Sequence, residues 1–372
     1  MGQKQSVVQG CLLGMAVGDA MGAGVDNKSL QDIHDTYGPD GLLGYDLANG
    51  FAEVSSYTQV AAFAMNGLLV AMSRGQLRMP FAPHVAMGLR EWARSQHFPR
   101  ETERRNCWLC HEPHMRRRRS MDPWTLDSVT REVTGTPEKP GNSANGPGTL
   151  PAAAVAGLLF APERMEAADV GTLGAQIVAL THGDPGAFLS GAVLAYIIAA
   201  IIQDPEGALR SHFEMAADVV AAQFSAWPEA GALRKKLKEM VTIAYKQERE
   251  PVQVMEELGC MSAPRVLCGA VYACLASEED FDRAMIIAIN HSGKSAAVGA
   301  VAGAILGARL GLSALPGFYL DCLDAGAVLL ELSADFASST PGKLTRRLFD
   351  DDWDRKYTYG LPVDRHGWST DD

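Results

Sequence analysis

The chain is short of positive charge: 33 Lys and Arg face 44 Asp and Glu in 372 residues, a formal balance of -11. General nucleic-acid binding needs a basic face, so that class is excluded as an expectation. A compact anion can still be held by a few cations and local N–H groups. Cysteine is sparse and odd in number, with Cys11, Cys107, Cys110, Cys260, Cys268, Cys274 and Cys322 mostly inside apolar segments. That argues against a disulfide framework and fits reduced, buried thiols in a cytoplasmic protein. No secretory signal is read, because Asp19 interrupts the first apolar stretch. The sequence shows no clear strand, no linker and no repeat, which leaves one helical domain over residues 1–372 with an irregular tail from about 358.

Two motif-like features carry little. Met1-Gly2-Gln3-Lys4-Gln5-Ser6 fits the myristoylation pattern formally, but the apolar helix after it reads as core. Cys107, Cys110, His111 and His114 have metal-like spacing, yet four ligands within eight residues across Pro113 close a tetrahedron awkwardly. No metal is expected there.

What the sequence has in quantity is small residues in helical register. Gly10, Gly14, Gly18 and Gly22 recur every four residues in 5–23, which clears one helix face for another backbone. A second such helix begins near Ala296, with Gly299, Gly303 and Gly307. Gln9 and Asp19 in the first stretch, and Lys294 and Arg309 around the second, favour a soluble core over a membrane span. Before the second helix lies a polar turn, Asn290-His291-Ser292-Gly293-Lys294-Ser295. A turn feeding a helix start offers unpaired N–H groups to an anion, so this is a candidate phosphate cradle.

These stretches resemble the ADP-ribosylglycohydrolases, the family of dinitrogenase-reductase-activating glycohydrolase and the J1-crystallins. The family's His-Ser-Gly-Asp-Ser-Asp-Ser-Thr-Gly motif is matched at His291, Ser292, Gly293, Ser295 and Gly299, but Lys294 and Ala296 replace its aspartates and Val298 its hydroxyl residue. Its Ser-Asp-Asp-Thr-Gln motif survives as Ser55, Thr58 and Gln59, with Ser56 and Tyr57 replacing both aspartates. Gly10 to Gly22 match its opening motif, and Asp26 falls where a metal-contacting glutamate is common. Asn142, Gly146 and Gly148 match a loop that lines the ADP-ribose pocket of relatives, without the Met-Arg that commonly follows; His182 matches a ligand-approaching histidine. Trp92 and Gln96 resemble a further family segment, and the tail from Phe349 to Tyr357 its Trp-x-x-Arg-Tyr end. Arg116 to Arg119 with Met121-Asp122-Pro123-Trp124 resemble an Arg-x-Pro-Gly-Asn stretch, and the run reads as a solvated basic turn in preference to a phosphate contact.

The resemblance implies an all-α orthogonal bundle with a cleft where the Ser55, Asn142, His182 and Ser292 segments converge. In the family, two Mg or Mn ions orient the substrate ribose and a water, and the bond between ADP-ribose and a modified side chain is cleaved. Hard cations are held by carboxylate oxygens, so with these replacements the Mg/Mn pair is expected to be absent and conventional hydrolysis with it. The preferred reading is a pseudoenzyme that binds ADP-ribose or an ADP-ribosylated protein, with no nucleic-acid or membrane partner. Its ligand-binding candidates are Ser55, Ser56, Thr58, Asn142, Gly146, Gly148, His182, Ser292, Gly293 and Ser295. One alternative is a metal-independent hydrolase using Lys294, Tyr57 and Asp26. Another is a ligand-free structural protein, in which Tyr57 simply fills the old cleft.

Overall fold

The centre of the fold is set by glycine. In the computed structural model, which describes residues 2–76, 78–96, 107–131, 134–160, 165, 167–339 and 351–363, helix Gln3–Ala23 lies antiparallel against helix Ser295–Leu310. A Cβ on Gly10, Gly14 or Gly18 would overlap the carbonyl oxygen of Gly307, Gly303 or Gly299 respectively. The two backbones touch because neither carries side chains at the seam. Nearly the whole length of both helices is buried.

The described residues form eighteen α-helices and three short 3-10 turns, and the only ladder contacts among them are two isolated bridges. Helices Ser56–Ser73, Pro185–Gln203 and Ala263–Ala276 pack around the central pair. Two helices, Gln3–Ala23 and Pro185–Gln203, are long and apolar enough to cross a membrane by length and composition; 89% and 78% of their apolar windows are buried inside the bundle. A helix apolar all round is a central one in either setting.

The region 205–285, which reads as three amphipathic helices from sequence, holds four and the start of a fifth: Leu209–Gln223, Pro228–Lys246, Pro251–Leu258, Ala263–Ala276 and Phe281–Ile289. Pro228, Pro251 and Pro264 each stand in the first turn of a new helix, where a missing N–H costs nothing. The apolar stretch 152–160, which reads as one helix from sequence, is a 3-10 turn, Pro151–Ala153, followed by Ala154–Leu158. At the C-terminus Trp353, Lys356 and Tyr357 are structural. Trp353 donates to Ser73 at 2.8 Å, Tyr357 to Asp335 at 2.7 Å, and Lys356 to Glu331 at 3.0 Å. Asp350 and Phe349 lie outside the described residues, whereas Asp351 and Asp352 are exposed.

Candidate functional site

The N-terminus of helix Ser56–Ser73 is built on Asp19, a fully buried carboxylate from the first helix. It accepts from the Ser55 hydroxyl at 2.5 Å, the Ser55 amide at 2.9 Å, the Thr58 hydroxyl at 2.6 Å and the Thr58 amide at 3.1 Å. Burial pushes its pKa up to about 6, against the pull of those four donors. Ser55 and Thr58 are therefore committed to an internal carboxylate. Ser56 is buried, and its amide donates to the Ser120 carbonyl at 3.1 Å.

Above this platform lies a polar cavity of about 90 Å³, lined by Asp26, Asn27, Ser55, Tyr57, Asp122 and Lys294, among others. Lys294 is the cation of the group, and its charge acts on both Asp26 and Asp122. Burial raises the Asp26 pKa, opposed by the Ala296 amide at 3.1 Å, by Lys294 and by Asn27. Burial also works against the charge on Asp122, but His182, the Thr125 amide and Lys294 together hold its carboxyl below the ordinary value. Tyr57 is 6% exposed; burial first, then Asp26, Asp122 and Asp19, hold its pKa well above 10. The phenol is neutral near pH 7 and cannot serve as a phenolate.

The other expected site residues are largely engaged within the protein. Asn142 donates to Ser128 at 3.0 Å and the Thr181 carbonyl at 2.9 Å, and accepts from the amides of Ala144 and Gly183. It clamps the 142–150 loop to the Thr181–Gly183 loop. His182 is fully buried; its Nδ1 is 2.8 Å from the Thr181 hydroxyl, and its Nε2 lies 3.2 Å from Asp122, off the line of a good hydrogen bond. Gly146 and Gly148 are small because this pair lies against them. A Cβ on Gly148 would stand 2.7 Å from His182 Cε1, and one on Gly146 3.1 Å from Asp122 Oδ2.

The phosphate cradle expected at the 290–295 turn is filled by the protein's own groups. The Ser292 amide donates to the Glu256 carboxylate, Gly293 N–H to the His291 carbonyl, Lys294 N–H to the Cys260 carbonyl, and Ala296 N–H to Asp26. Ser292 Oγ accepts from the Leu30 amide at 2.7 Å, and the Ser295 hydroxyl donates to the His291 carbonyl at 3.2 Å. The anion at this helix start is Asp26. The expectation failed because a sequence shows which N–H groups a turn frees but not which distant carboxylate reaches them. His291 is itself buried, its pKa lowered to about 4, so it is uncharged near pH 7.

The basic turn expected to be solvated is only partly so. Arg119 is buried and pairs with Glu53 at 2.5 Å and with Asp324; Arg117 also meets Glu53 at 2.5 Å. Arg116 and Arg118 are exposed. Cys107 and Cys110 are buried, with the Cys110 thiol 3.6 Å from the Glu91 carbonyl. Sequence reasoning passed over Asp19 and Asp122 as members of the site. The signals were present: Asp19 is the lone acid in the first helix, and a buried carboxylate must find donors. Asp122 precedes Pro123, the cap-then-proline start of helix Pro123–Thr130.

The residues present do not fit a pair of divalent ions. Ser56, Tyr57, Lys294 and Ala296 offer a hydroxyl, a neutral phenol, an ammonium and a methyl, and the ammonium places a positive charge beside Asp26 and Asp122, where a divalent cation would be repelled. Among the described residues no three His, Cys, Asp or Glu side chains are grouped as metal ligands.

An all-helical bundle with a polar cleft between its first helix, a capped third helix and a late glycine helix defines the class of protein. The profile of the family described as ADP-ribosylglycohydrolase matches residues 2–346, and the chain belongs to that family. Among solved structures it is similar to one described as an ADP-ribosylglycohydrolase-related protein complex, with a TM-score of 0.55 and 21% identity over 91% of this chain and 99% of that one. That likeness is one of fold. No protein of curated function matches the chain significantly.

Proposed function

We propose that this chain is a metal-free member of the family that binds ADP-ribose, or the ADP-ribosyl group of a modified protein, without the conventional hydrolase reaction. The observation that carries this reading is the position of Lys294, whose ammonium supplies positive charge to Asp26 and Asp122 at the floor of the cleft. An ammonium balances charge but does not coordinate and acidify a water as Mg²⁺ does.

The cavity of about 90 Å³ takes a sugar hydroxyl or two rather than a whole nucleotide. Met121 also lines an open groove of about 870 Å³, flanked by Arg118 and the half-exposed Trp124. In this reading Asp26 and Asp122 accept from the ribose hydroxyls, Arg118 meets the diphosphate, and adenine stacks on Trp124. Titration calorimetry with ADP-ribose tests it. Binding that persists in EDTA, and weakens about tenfold in Trp124→Ala, supports it; dependence on Mg²⁺ sinks it.

A second reading, a ligand-free structural protein, is favoured by Tyr57, which fills the cleft with 6% of its surface exposed. The same titration with no heat at any concentration selects it. Release of ADP-ribose from a modified arginine or serine peptide in EDTA selects metal-independent hydrolysis, with Asp26 as the base whose raised pKa suits that role.

A further inference from the structure

Helix Ser56–Ser73 begins at the cleft, and its far half forms one wall of a different pocket. Asn66 and Arg74 face His84, Arg90 and Arg94 of helix Ala82–Gln96 across a polar space of about 410 Å³. About 13 Å of helix rise separates Tyr57 from Asn66, so the pocket is remote from the site already described.

The charge within it is unbalanced. Arg94 is paired with Glu91 at 2.8 Å, whereas Arg74 and Arg90 meet no carboxylate among the described residues. The Arg90 Nε is buried without a partner, and so are the Asn66 Oδ1 and the His84 Nδ1. Asn66 is 2% exposed. A buried amide oxygen left unpaired costs about 1–3 kcal/mol, and such groups in a native protein call for an explanation. Burial first, then Arg74, lowers the His84 pKa and leaves a neutral ring that offers one N–H.

The geometry points to a second ligand site here, for a small phosphate-bearing molecule held by the guanidinium groups of Arg74 and Arg90 with Asn66 and His84 as polar contacts. Two unpaired guanidiniums in a chain of formal charge -11 are a local exception to its composition. Their planar forks match phosphate oxygens two at a time. The volume falls within the range of small-molecule pockets.

Pyrophosphate is the probe. Calorimetry on the full chain at low ionic strength gives saturable binding, and Arg74→Gln and Arg90→Gln each weaken it at least tenfold. Lys236→Gln, an exposed charge on helix Pro228–Lys246, leaves it unchanged. Arg74 is exposed, so its variant keeps the fold, which a thermal melt verifies. Absence of pyrophosphate binding, native affinity retained in either arginine variant, or equally tight binding of succinate overturns the assignment.

Discussion

Asp19 and Thr58 are joined twice, by the Thr58 hydroxyl at 2.6 Å and its amide at 3.1 Å, both donating to one carboxylate oxygen. The pair fastens the first helix to the start of the third and fixes the floor of the cleft. A carboxylate capping a helix start is favourable, but this one is fully buried and its pKa rises to about 6.

The sign of the resulting pH dependence follows directly. A carboxyl that titrates near 3.8 when unfolded and near 6 when folded binds its proton more tightly in the native state. Its contribution is fully present below about pH 4 and is lost as pH rises through 6, by roughly 3 kcal/mol at one pKa unit per 1.4 kcal/mol. Asp19→Asn loses acceptors for Ser55 and Thr58 and is destabilised by about 1–3 kcal/mol. Its deficit against the native protein narrows between pH 4 and 7. Urea melts across that interval check this, and a deficit constant with pH refutes it.

The glycine seam gives a second expectation. Gly18→Ala sets a methyl on the Gly299 carbonyl, backbone against backbone, which no rotamer change relieves. The cost lies at or beyond the upper end of the usual 1–3 kcal/mol for overpacking. Gly231→Ala, on the exposed face of helix Pro228–Lys246 with nothing within 4 Å of the new Cβ, stabilises by about 0.5–1 kcal/mol. Thermal melts of the two variants should therefore move in opposite directions.

Two arginines in one run separate structure from ligand. Arg119→Ala removes the guanidinium from the buried Asp324 side chain, which keeps the Val54 amide at 3.2 Å and His114 at 3.3 Å, and should cost about 3–5 kcal/mol. Exposed Arg118→Ala changes stability by less than about 0.5 kcal/mol while weakening ADP-ribose binding. Chemical denaturation and calorimetry on the same two proteins read both effects. Loss of stability in Arg118→Ala, or unchanged ADP-ribose affinity, removes Arg118 from the proposed groove.

The bundle was legible because its cause is local: a glycine every fourth residue states that a helix face is bare, and two such helices imply each other. The motif frame was legible for the same reason, since Ser55, Thr58, His291 and Ser292 stand in order and register. What residue order does not disclose is who satisfies whom. Ser55 and Thr58 read as ligand contacts but face Asp19; Asn142 reads as a pocket residue but ties two loops together; the N–H groups of the turn and helix start read as a cradle, but those of Ser292 and Ala296 hold Glu256 and Asp26. Each partner lies 36 to 270 residues away along the chain. Burial has the same character: four consecutive arginines look alike in a sequence, and Arg119 alone among them is enclosed.

Lys294 offers the test with the widest consequence. Lys294→Asp replaces the ammonium beside Asp26 and Asp122 with a third carboxylate, so like charges at the cleft floor raise the Asp26 pKa further above its ordinary value and lower stability near neutral pH. Ser56 and Tyr57 remain, and with them two of the positions that hold aspartates in relatives. The single variant should therefore show no Mn²⁺-dependent release of ADP-ribose from a modified peptide. Adding Ser56→Asp, Tyr57→Asp and Ala296→Asp rebuilds the four-carboxylate set, and an upward shift of melting temperature on adding Mn²⁺ should appear only in that combination. If the native chain itself melts higher in Mn²⁺, with the shift abolished by mutating Asp26 and Asp122, the ammonium has not taken the metal's place.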